Sequence, residues 1–342
     1  PSSIPTPQPL MILEESSLIQ SQVIPTDKYS TLNWNYIYAQ KYTLERNWNE
    51  GKYLLQDFFG QKEACYCLEF DNEKIIGGSR DNTIIIWNIK TGRIQKILLG
   101  HESPVLCFAS NDGYLISGSS DKSIIVWNLE SGEILQSLVG HEESVLSVKY
   151  YEGFVISSSR DKTIKIWNFE TGVLKKTLNG HREAINSLSV KNGIIVSASG
   201  DRTIKIWDFK SGELQRTLKG HSRGIACVQF DGDNCIASGS SDGTIKIWDV
   251  KSGDVLKTLN GHTELVRTLQ FNKDMKLVSG SYDSTIKVWD MKKGKLLLDL
   301  KGVHKSWIFK IRFNKSKIIS CSRDNRVLCW DFGLGVDENF FL

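Results

Sequence analysis

The amino-acid sequence predicts an all-β fold, a seven-bladed β-propeller with a short N-terminal helical linker. The first indication is a repeat. Within 342 residues, seven tryptophans that are each followed by Asn or Asp are separated by gaps of 40, 40, 40, 41, 41 and 41 residues. These tryptophans are Trp87, Trp127, Trp167, Trp207, Trp248, Trp289 and Trp330. A period of this length is typical of repeat architectures.

The second indication is the pattern inside each repeat. The unit that starts at Gly220 contains four short runs rich in Val, Ile and Leu, each bounded by Gly, Asp, Asn or Ser: IACVQF, CIASGS, TIKIWD and VLKTL. Such runs predict antiparallel strands joined by tight turns. A single four-stranded sheet cannot bury both of its faces, whereas seven sheets around one axis cover each other. The repeat therefore predicts a closed ring of blades.

The composition is that of an ordinary globular chain and argues against several classes of protein. Forty per cent of the residues are apolar and 24% are charged, and no apolar stretch is long enough to cross a membrane. The net charge of +4 is small and Lys and Arg form no basic run, so we expect neither a nucleic acid nor a membrane as partner. Seven scattered cysteines favour reduced thiols. We expect no secretory leader and a cytoplasmic or nuclear location.

The first 50 residues divide into two segments. Residues 1–26 contain five of the six prolines and predict a flexible, proline-rich lead-in. Residues 27–50 have no proline or glycine and many aromatic residues, and Gly51 offers a stop signal. We therefore expect a helical linker of one or two short helices that pack on the ring.

The propeller is predicted over residues 51–335, and the two ends of this range supply the closing blade. The last repeat ends after Trp330 without a clear fourth strand, whereas GKYLLQDFFG, from Gly51 to Gly60, looks like the fourth strand that precedes each Gly-His pair elsewhere. We predict that residues 52–59 form the outer strand of the blade built from residues 305–331, because this pairing covers an open strand edge. Residues 336–342 remain as a C-terminal tail.

A His, a Ser and an Asp recur at the same places in six repeats. They are His101, His141, His181, His221, His262 and His304; Ser117, Ser157, Ser197, Ser238, Ser279 and Ser320; and Asp121, Asp161, Asp201, Asp242, Asp283 and Asp324. One such set has the residue types of a hydrolase triad, but an active site is needed once, whereas a fold device is needed in every blade. We predict a buried hydrogen-bonded chain from Asp through His and Ser to Trp, with no catalytic residue, metal ligand or cofactor. The first repeat has Gln61 in place of His and Gly77 in place of Ser, so we expect its blade to be the least tightly held.

Two rings of variable positions are predicted to surround one mouth of the channel, because the start of the first strand and the end of the second strand of a blade share one face. The first ring holds Tyr66, Leu106, Leu146, Asn186, Ala226, Arg267 and Phe309, flanked by Pro104, Arg223, Gly224, Leu265 and Trp307. The second ring holds Arg80, Ser120, Arg160, Gly200, Ser241, Tyr282 and Arg323. Five arginines, several aromatic side chains and an apolar quarter suit a peptide with an apolar anchor and negative charge, such as a phosphopeptide. The alternative is that these arginines are simply solvated.

The repeats resemble WD repeats, with Gly-His, Ser-x-Ser-x-Asp and Trp-Asp or Trp-Asn signatures, so the expected fold is a WD40 propeller. Within that superfamily the chain most resembles the F-box/WD-repeat proteins of the beta-transducin repeat-containing type. The similar stretches are VSASGDRTIKIWD from Val196, RGIACVQF from Arg223, ASGSSDGTIKIWD from Ala237, ELVRTLQF from Glu264 and SGSYDSTIKVWD from Ser279. The segment DKYSTLNWNYIYAQKYTLERNWNEGKY is similar to that family's helical linker.

The resemblance implies a substrate receptor of an SCF-type cullin-RING ubiquitin ligase that holds degrons of the form Asp-phosphoSer-Gly-apolar-x-phosphoSer. Phosphorylated proteins would be its substrates, and an F-box adaptor and a cullin scaffold would be reached through an upstream segment. By this resemblance Tyr66, Arg80 and Ser120 would hold the first phosphoserine, and Arg223, the Gly224 backbone and Ser241 the second. Arg267 and Tyr282 would lie near the acidic residue, and Leu106, Leu146, Asn186, Ala226 and Leu265 would line the apolar side. Gly200 and Arg323 complete the predicted phosphopeptide-binding set.

Three departures from the family pattern keep a second interpretation open. Pro104 stands where the family has a Ser of the first phosphate site, and Trp307 stands where it has an Arg, which weakens the acid pocket unless Arg323 compensates. No segment before Asp27 has the length or pattern of an F-box. The alternative function is a WD-repeat scaffold that joins protein complexes without phosphate dependence or ligase recruitment.

Overall fold

The computed structural model describes residues 34–337 and confirms the seven-bladed β-propeller. The predicted lead-in over residues 1–26 lies outside the described residues, as do residues 27–33 and 338–342. The described part contains the helix α1 (Trp34–Glu50) and 28 strands, which form seven antiparallel sheets of four strands each.

The strands are numbered in chain order. Strands β1 to β9 are Leu54–Phe58, Cys65–Phe70, Lys74–Ser79, Ile84–Asn88, Ile94–Leu98, Val105–Asn111, Tyr114–Ser119, Ile124–Asn128 and Ile134–Leu138. Strands β10 to β17 are Val145–Tyr151, Phe154–Ser159, Ile164–Asn168, Leu174–Leu178, Ile185–Lys191, Ile194–Ser199, Thr203–Asp208 and Leu214–Lys219. Strands β18 to β28 are Ile225–Phe230, Cys235–Ser240, Ile245–Asp249, Val255–Leu259, Val266–Phe271, Lys276–Ser281, Ile286–Asp290, Lys295–Leu300, Ile308–Phe313, Lys317–Ser322 and Val327–Asp331.

The first six blades use consecutive strands, β2–β5 through β22–β25, whereas the seventh blade joins the two ends of the ring. Its sheet has the order β1-β28-β27-β26, so its outer strand comes from the start of the array. Strand β1 pairs antiparallel with β28, from Leu54 opposite Asp331 to Phe58 opposite Val327. The guanidinium of Arg326 also donates to both carboxylate oxygens of Asp57, at 3.2 and 2.5 Å. The ring is therefore closed by β-pairing and one ion pair.

The first strand of each blade lies next to the channel. These strands contact one another in a closed circuit, from β2 through β6, β10, β14, β18 and β22 to β26 and back to β2. The hydrophobic core lies between neighbouring blades: Trp127 of the second blade, for example, packs in one cluster with Ile76 and Ile84 of the first. All seven cysteines are buried and carry free thiols. The stable unit is thus the closed ring, because each sheet covers the next.

The predicted hydrogen-bonded chain is present in blades two to seven. In each of these blades the His Nδ1 lies 2.6–3.0 Å from the Asp carboxylate and the His Nε2 lies 2.7–2.8 Å from the Ser Oγ. The Trp indole N–H donates to the same Ser oxygen at 2.8–2.9 Å. Since a carboxylate only accepts, Nδ1 is the donor, which leaves a neutral Nε2 to accept the Ser O–H. All six histidines are buried in this way and tie the loop before the first strand to the second and third strands.

The helix α1 covers part of the seventh blade. The Trp48 ring stacks on Phe332 at 3.9 Å between centroids, and its indole N–H donates to the carbonyl of Lys315 at 3.0 Å. The Asn47 side chain donates to the carbonyls of Phe332 and Leu334, at 2.8 Å in each case. These contacts anchor the C-terminal half of the helix to the seventh blade.

No helix in the described range is long and apolar enough to cross a membrane.

Candidate functional site

Backbone hydrogen bonds in every blade bring the two predicted rings together at one mouth. The residue before each repeat Asp donates its N–H, at 2.9–3.0 Å, to the carbonyl of a residue just before or at the start of the first strand. The pairs are Arg80 with Ala64, Ser120 with Pro104, Arg160 with Ser144, Gly200 with Ala184, Ser241 with Gly224, Tyr282 with Leu265 and Arg323 with Trp307. The side chains of the two rings therefore line the same end of the channel.

A cavity of about 500 Å³ opens in this mouth between the seventh and the first blade. Five residues of the predicted rings and their flanks line it: Tyr66, Arg80, Trp307, Phe309 and Arg323. The other lining residues are Lys62, Glu63, Ala64 and Asn325. The cavity combines aromatic walls with three basic side chains and one carboxylate, so it suits a ligand that is partly apolar and negatively charged.

Stacked rings form one wall of this cavity. Tyr282 and Trp307 stack with their centroids 4.4 Å apart and their planes within 6°. The Arg323 guanidinium carbon lies 4.5 Å from the Trp307 ring centroid. The Phe309 ring packs edge-on against Tyr66, with centroids 4.8 Å apart. Because a guanidinium that stacks on an indole keeps its N–H edge free, Arg323 is held ready for a planar acceptor such as a carboxylate or phosphate.

The charges of the cavity are only partly paired. Arg80 Nε lies 3.3 Å from Glu63 Oε2, and both side chains are about half exposed, at 62% and 48%. Such an exposed pair stabilises the fold by little, because solvent screens it. Within residues 34–337, neither the Arg323 guanidinium nor the Lys62 ammonium group forms an ion pair with a carboxylate. The cavity therefore keeps basic groups available to an incoming anion.

A second group of predicted residues lies on the fourth and fifth blades. Arg223 is exposed, and Ser241 donates its backbone N–H to the Gly224 carbonyl at 2.9 Å. A Cβ at Gly224 would lie 3.3 Å from the Cα of Gly200, so glycine at both positions lets the two backbones approach closely. This group offers the cation of Arg223, the hydroxyl of Ser241 and the backbone of Gly224. The sixth blade lies between this group and the cavity.

The other predicted residues are distributed around the mouth with different degrees of exposure. Leu106, Ser120, Leu146, Leu265 and Arg267 are partly buried. Asn186 donates its side-chain N–H to the carbonyl of Ile225 at 2.8 Å, and Ala226 is only 6% exposed. Asn186 is thus already engaged in joining two blades, and Ala226 offers little surface to a ligand.

Sequence reasoning missed Lys62, Glu63 and Asn325 as cavity residues, because they flank the rings rather than occupy them. The bond from Gln61 Nε2 to the Asn325 carbonyl, 2.9 Å long, draws these two loops together. The departure at Gln61 from the repeated His was the available signal that this junction differs from the other six. No group of three His, Cys, Asp or Glu side chains within the described residues could hold a metal ion.

Comparisons with known proteins bear on this arrangement. The WD40 family profile, described as WD domain, G-beta repeat, matches seven segments: residues 52–88, 92–128, 132–168, 172–208, 212–249, 253–290 and 294–331. The chain is also similar to F-box/WD repeat-containing protein lin-23 of Caenorhabditis elegans, with 40% identity over 63 residues, which are 18% of this chain and 10% of that protein. It is 40% identical over 84 residues to F-box and WD repeat domain-containing 11-A of Danio rerio, covering 24% of this chain and 15% of the relative.

A third relative is named for a ubiquitin ligase. The probable E3 ubiquitin ligase complex SCF subunit scon-2 of Neurospora crassa is 34% identical over 61 residues, covering 18% of this chain and 9% of that protein. The matched stretches thus span only a small part of each relative. The repeat profile, by contrast, covers most of this chain, with seven matches that each span the outer strand of one blade and the first three strands of the next. The chain belongs to the WD40 repeat family, whose propellers are typically non-catalytic interaction modules.

Proposed function

We propose that the mouth binds phosphorylated degron peptides and that the protein is the substrate-recognition subunit of an SCF-type cullin-RING ubiquitin ligase in the cytoplasm or nucleus. The observation that carries this proposal is the presence of two separate cationic groups at one mouth. One contains Arg80 and Arg323 at the cavity, and the other contains Arg223 beside Ser241 on the fifth blade. Two groups of this kind match a peptide with two phosphates.

The first cationic group is arranged for exchange of one anion for another. Arg80 has a single carboxylate partner, Glu63, in an exposed pair. A phosphate carries about −1.5 to −2 charges and accepts a guanidinium at two oxygens, so it is the stronger partner. Arg323, held on Trp307, can then approach the same anion from the neighbouring blade. This arrangement supports Arg323 as the residue that compensates for the Trp at position 307.

The second cationic group offers a smaller and more polar contact. Gly224 has no side chain to shield its backbone, and the hydroxyl of Ser241 follows directly after the second strand of the same blade. The Arg223 side chain is exposed, so it can turn toward a bound phosphate. Tyr282 and the partly buried Leu265 lie between the two groups. Leu265 would contact the apolar part of the peptide, and Tyr282 would lie near its acidic residue.

The relatives support the ligase part of the proposal through their names. Two are F-box and WD-repeat proteins and the third is named as an SCF subunit. Because the similar stretches cover only 9% to 15% of those proteins, the partners and substrates of the full-length protein remain part of the proposal.

The test measures peptide affinity with isothermal titration calorimetry. A peptide of the form Asp-phosphoSer-Gly-Leu-Asp-phosphoSer and its unphosphorylated form are titrated into the protein and into Arg80→Ala and Arg223→Ala variants. Loss of a charge-assisted phosphate contact removes about 1.5 to 3 kcal/mol, so we expect each variant to weaken phosphopeptide binding about 10- to 100-fold. Arg93→Ala, which removes an exposed arginine in the turn between β4 and β5, is the matched control and should bind like the unchanged protein.

Equal affinity for the two peptides would overturn phosphate recognition and leave the scaffold function. The ligase part is tested separately. The full-length protein should form a complex with the F-box adaptor and the cullin scaffold, and absence of such a complex together with intact phosphopeptide binding would indicate a phosphopeptide-binding scaffold. No observation in the described residues favours a third function.

A further inference from the structure

Below the mouth, the channel contains a cluster of basic side chains that the proposed peptide site does not use. Lys310 and Arg312 lie on the inner strand β26 of the seventh blade, where they alternate with the fully buried Ile311 and the nearly buried Phe313. Lys149 lies on the inner strand β10 of the third blade and Glu69 on the inner strand β2 of the first. These side chains therefore extend from three blades.

Glu69, Lys149 and Arg312 lie at the same depth of the channel, because each pairs with the third residue of the second strand in its blade: Ile76, Ile156 and Ile319. Burial and the positive charge of Arg312 lower the pKa of Lys149 to about 8. Burial and the charges of Arg312 and Lys149 lower the pKa of Lys310 to about 7, and Arg267 adds to the effect. The third and seventh blades are not neighbours in the ring, so their charges interact through the channel. Lys149, Lys310, Arg312 and Glu69 therefore form one layer of side chains across the channel.

Within this layer the positive charges exceed the negative ones. Glu69 accepts hydrogen bonds from Arg312 Nε at 2.9 Å and from Arg312 Nη2 at 2.5 Å, so its carboxylate is already used. Neither the Lys149 nor the Lys310 ammonium group has a hydrogen bond or an ion pair with any residue from 34 to 337. The thiols of Cys67 and Cys107 in the same layer contact backbone carbonyls, and burial raises the pKa of both, so they are neutral. The charge of Glu69 favours the charged form of both lysines, so three cations share one carboxylate that is already paired with Arg312.

Lys149 and Lys310 are partly buried, and an ammonium group in such a place without a protein partner has two ways to lower its free energy. It can lose its proton, or it can bind an anion that supplies the missing acceptors. A tetrahedral oxyanion fits the second case, because several oxygens can accept hydrogen bonds from groups that converge from different blades. The layer has basic groups on the inner strands β26 and β10, which belong to blades that are not neighbours, so donors reach the channel from two sides.

We propose that the channel layer of Lys149, Lys310 and Arg312 binds a small free oxyanion of the phosphate or sulfate class, at a site separate from the peptide at the mouth. The bound ion would link the third and seventh blades and so stabilise the closed ring. Binding of an ion to the folded state alone raises the melting temperature by mass action.

The test compares sodium sulfate with sodium chloride at equal ionic strength and at sulfate concentrations of a few millimolar, where general salting effects are small. We expect sulfate to raise the melting temperature of the unchanged protein by about 2 °C at a tenfold excess over Kd. In Lys310→Met the sulfate-specific shift should disappear, although this variant should be no less stable in chloride, because it removes an uncompensated charge. Lys246→Met, which removes a lysine that bonds to Thr258 on the outer part of the fifth blade, should keep the full shift.

Calorimetric titration of sulfate gives a second readout. One binding event per chain is expected in the unchanged protein and in Lys246→Met, with at least tenfold weaker binding in Lys310→Met and Lys149→Met. An equal sulfate shift in Lys310→Met and in the unchanged protein would overturn the proposal. A Lys310→Met variant that loses phosphopeptide affinity while sulfate binding is unchanged would instead assign the cluster to a side chain of the peptide, and would also overturn it.

Discussion

The first and fifth blades have the same four-stranded sheet but hold their central tryptophan in different ways. In the fifth blade Trp248 donates to Ser238, which contacts His221, and His221 contacts Asp242. Three hydrogen bonds of 2.8, 2.8 and 2.9 Å thus join the loop before the blade to its second and third strands. This chain is completely satisfied, and it occurs in six blades because every blade has the same loop to hold.

In the first blade two members of the chain are missing. The Trp87 indole N–H donates instead to the carbonyl of Phe59, at 2.7 Å. Gly77 leaves room for the indole ring, since a Cβ at this position would lie 2.8 Å from Trp87 Cζ3. The side-chain oxygen of Gln61 is buried without a hydrogen-bond partner among residues 34–337. The indole requires an acceptor, but that acceptor need not be the repeated Ser.

The difference is informative because the first blade also lines the candidate cavity. Lys62, Glu63 and Arg80 all come from this blade, next to the substituted Gln61. The repeated device is thus replaced on the first-blade side of the cavity, whereas the seventh blade, which forms the opposite side, keeps it. Four predictions test this comparison, from the largest expected effect to the smallest.

The largest effect is expected from acid, because it acts on six blades at once. Burial alone would raise the pKa of Asp324, but the hydrogen bond from His304 and the charge of that residue lower it to about 2. A carboxyl group with a lowered pKa stabilises the folded state above its ordinary pKa, and this contribution is lost as the pH falls through the folded value. The shift of Asp324 alone corresponds to about 2 kcal/mol. We expect the free energy of unfolding, measured with urea, to fall steeply below pH 4.

The matched variants for this prediction compare the two blades. The pKa of Asp242 is lowered by hydrogen bonds from Thr244 and His221 against the effect of burial, whereas Asp81 has no histidine partner. Burial lowers the pKa of His221, so stability also begins to decrease as the pH falls below about 6.5. Asp242→Asn should make the pH dependence visibly shallower than Asp81→Asn does. The same slope for both variants would contradict the role of the histidine.

The second effect comes from the hydroxyl at the centre of the chain. Ser238→Ala leaves the buried Trp248 indole N–H and His221 Nε2 without their partner, which should reduce the free energy of unfolding by about 2 to 4 kcal/mol. Urea titration measures the change. Ser110→Ala, at an exposed strand position, is the control and should change stability by less than about 0.5 kcal/mol. A small loss in Ser238→Ala would mean that solvent reaches the two groups.

The third prediction concerns the reverse change in the first blade. Gly77→Ser makes that blade look more like the others, but its Cβ would overlap the Trp87 ring and approach Cys65 Sγ within 3.0 Å. We expect a loss of about 1 to 3 kcal/mol from this overpacking. Gly77→Ala, which adds the same Cβ without a hydroxyl, should lose a similar amount. A gain in stability for Gly77→Ser would show that the blade can adopt the repeated chain after all.

The smallest effect is expected at Gln61. Gln61→Leu removes one hydrogen bond to the Asn325 carbonyl, but it also removes the buried oxygen that has no partner in the described part of the chain. The two effects oppose each other, so the free energy of unfolding should change by less than about 1 kcal/mol. His221→Leu, at the equivalent position of the fifth blade, removes one hydrogen bond to Asp242 and one to Ser238 and should be several times more destabilising. Equal losses at both positions would remove the distinction between the two blades.

Much of the fold could be predicted because its signals are local and repeated. Each repeat has the same alternation of apolar runs and turns, and each Gly-His, Ser and Trp occupies the same place in its unit. Bonds of the Asp-to-Trp chain connect residues of one blade, so their spacing in the sequence is constant. The polar chain and the blade number therefore followed from the period, and the mouth residues followed from the positions that vary within it.

The sequence by itself determined the repeated sheet, the buried tryptophans and the set of residues at one face of the ring. The tertiary structure alone decided which residues meet: Tyr282 stacks on Trp307, Arg323 lies over the same Trp307 ring, and Lys149 and Arg312 lie at one depth of the channel. The physical reason is that contacts within a blade depend on local spacing, which a period records. Contacts between blades depend on the curvature of the closed ring and on side-chain packing, which no local pattern contains.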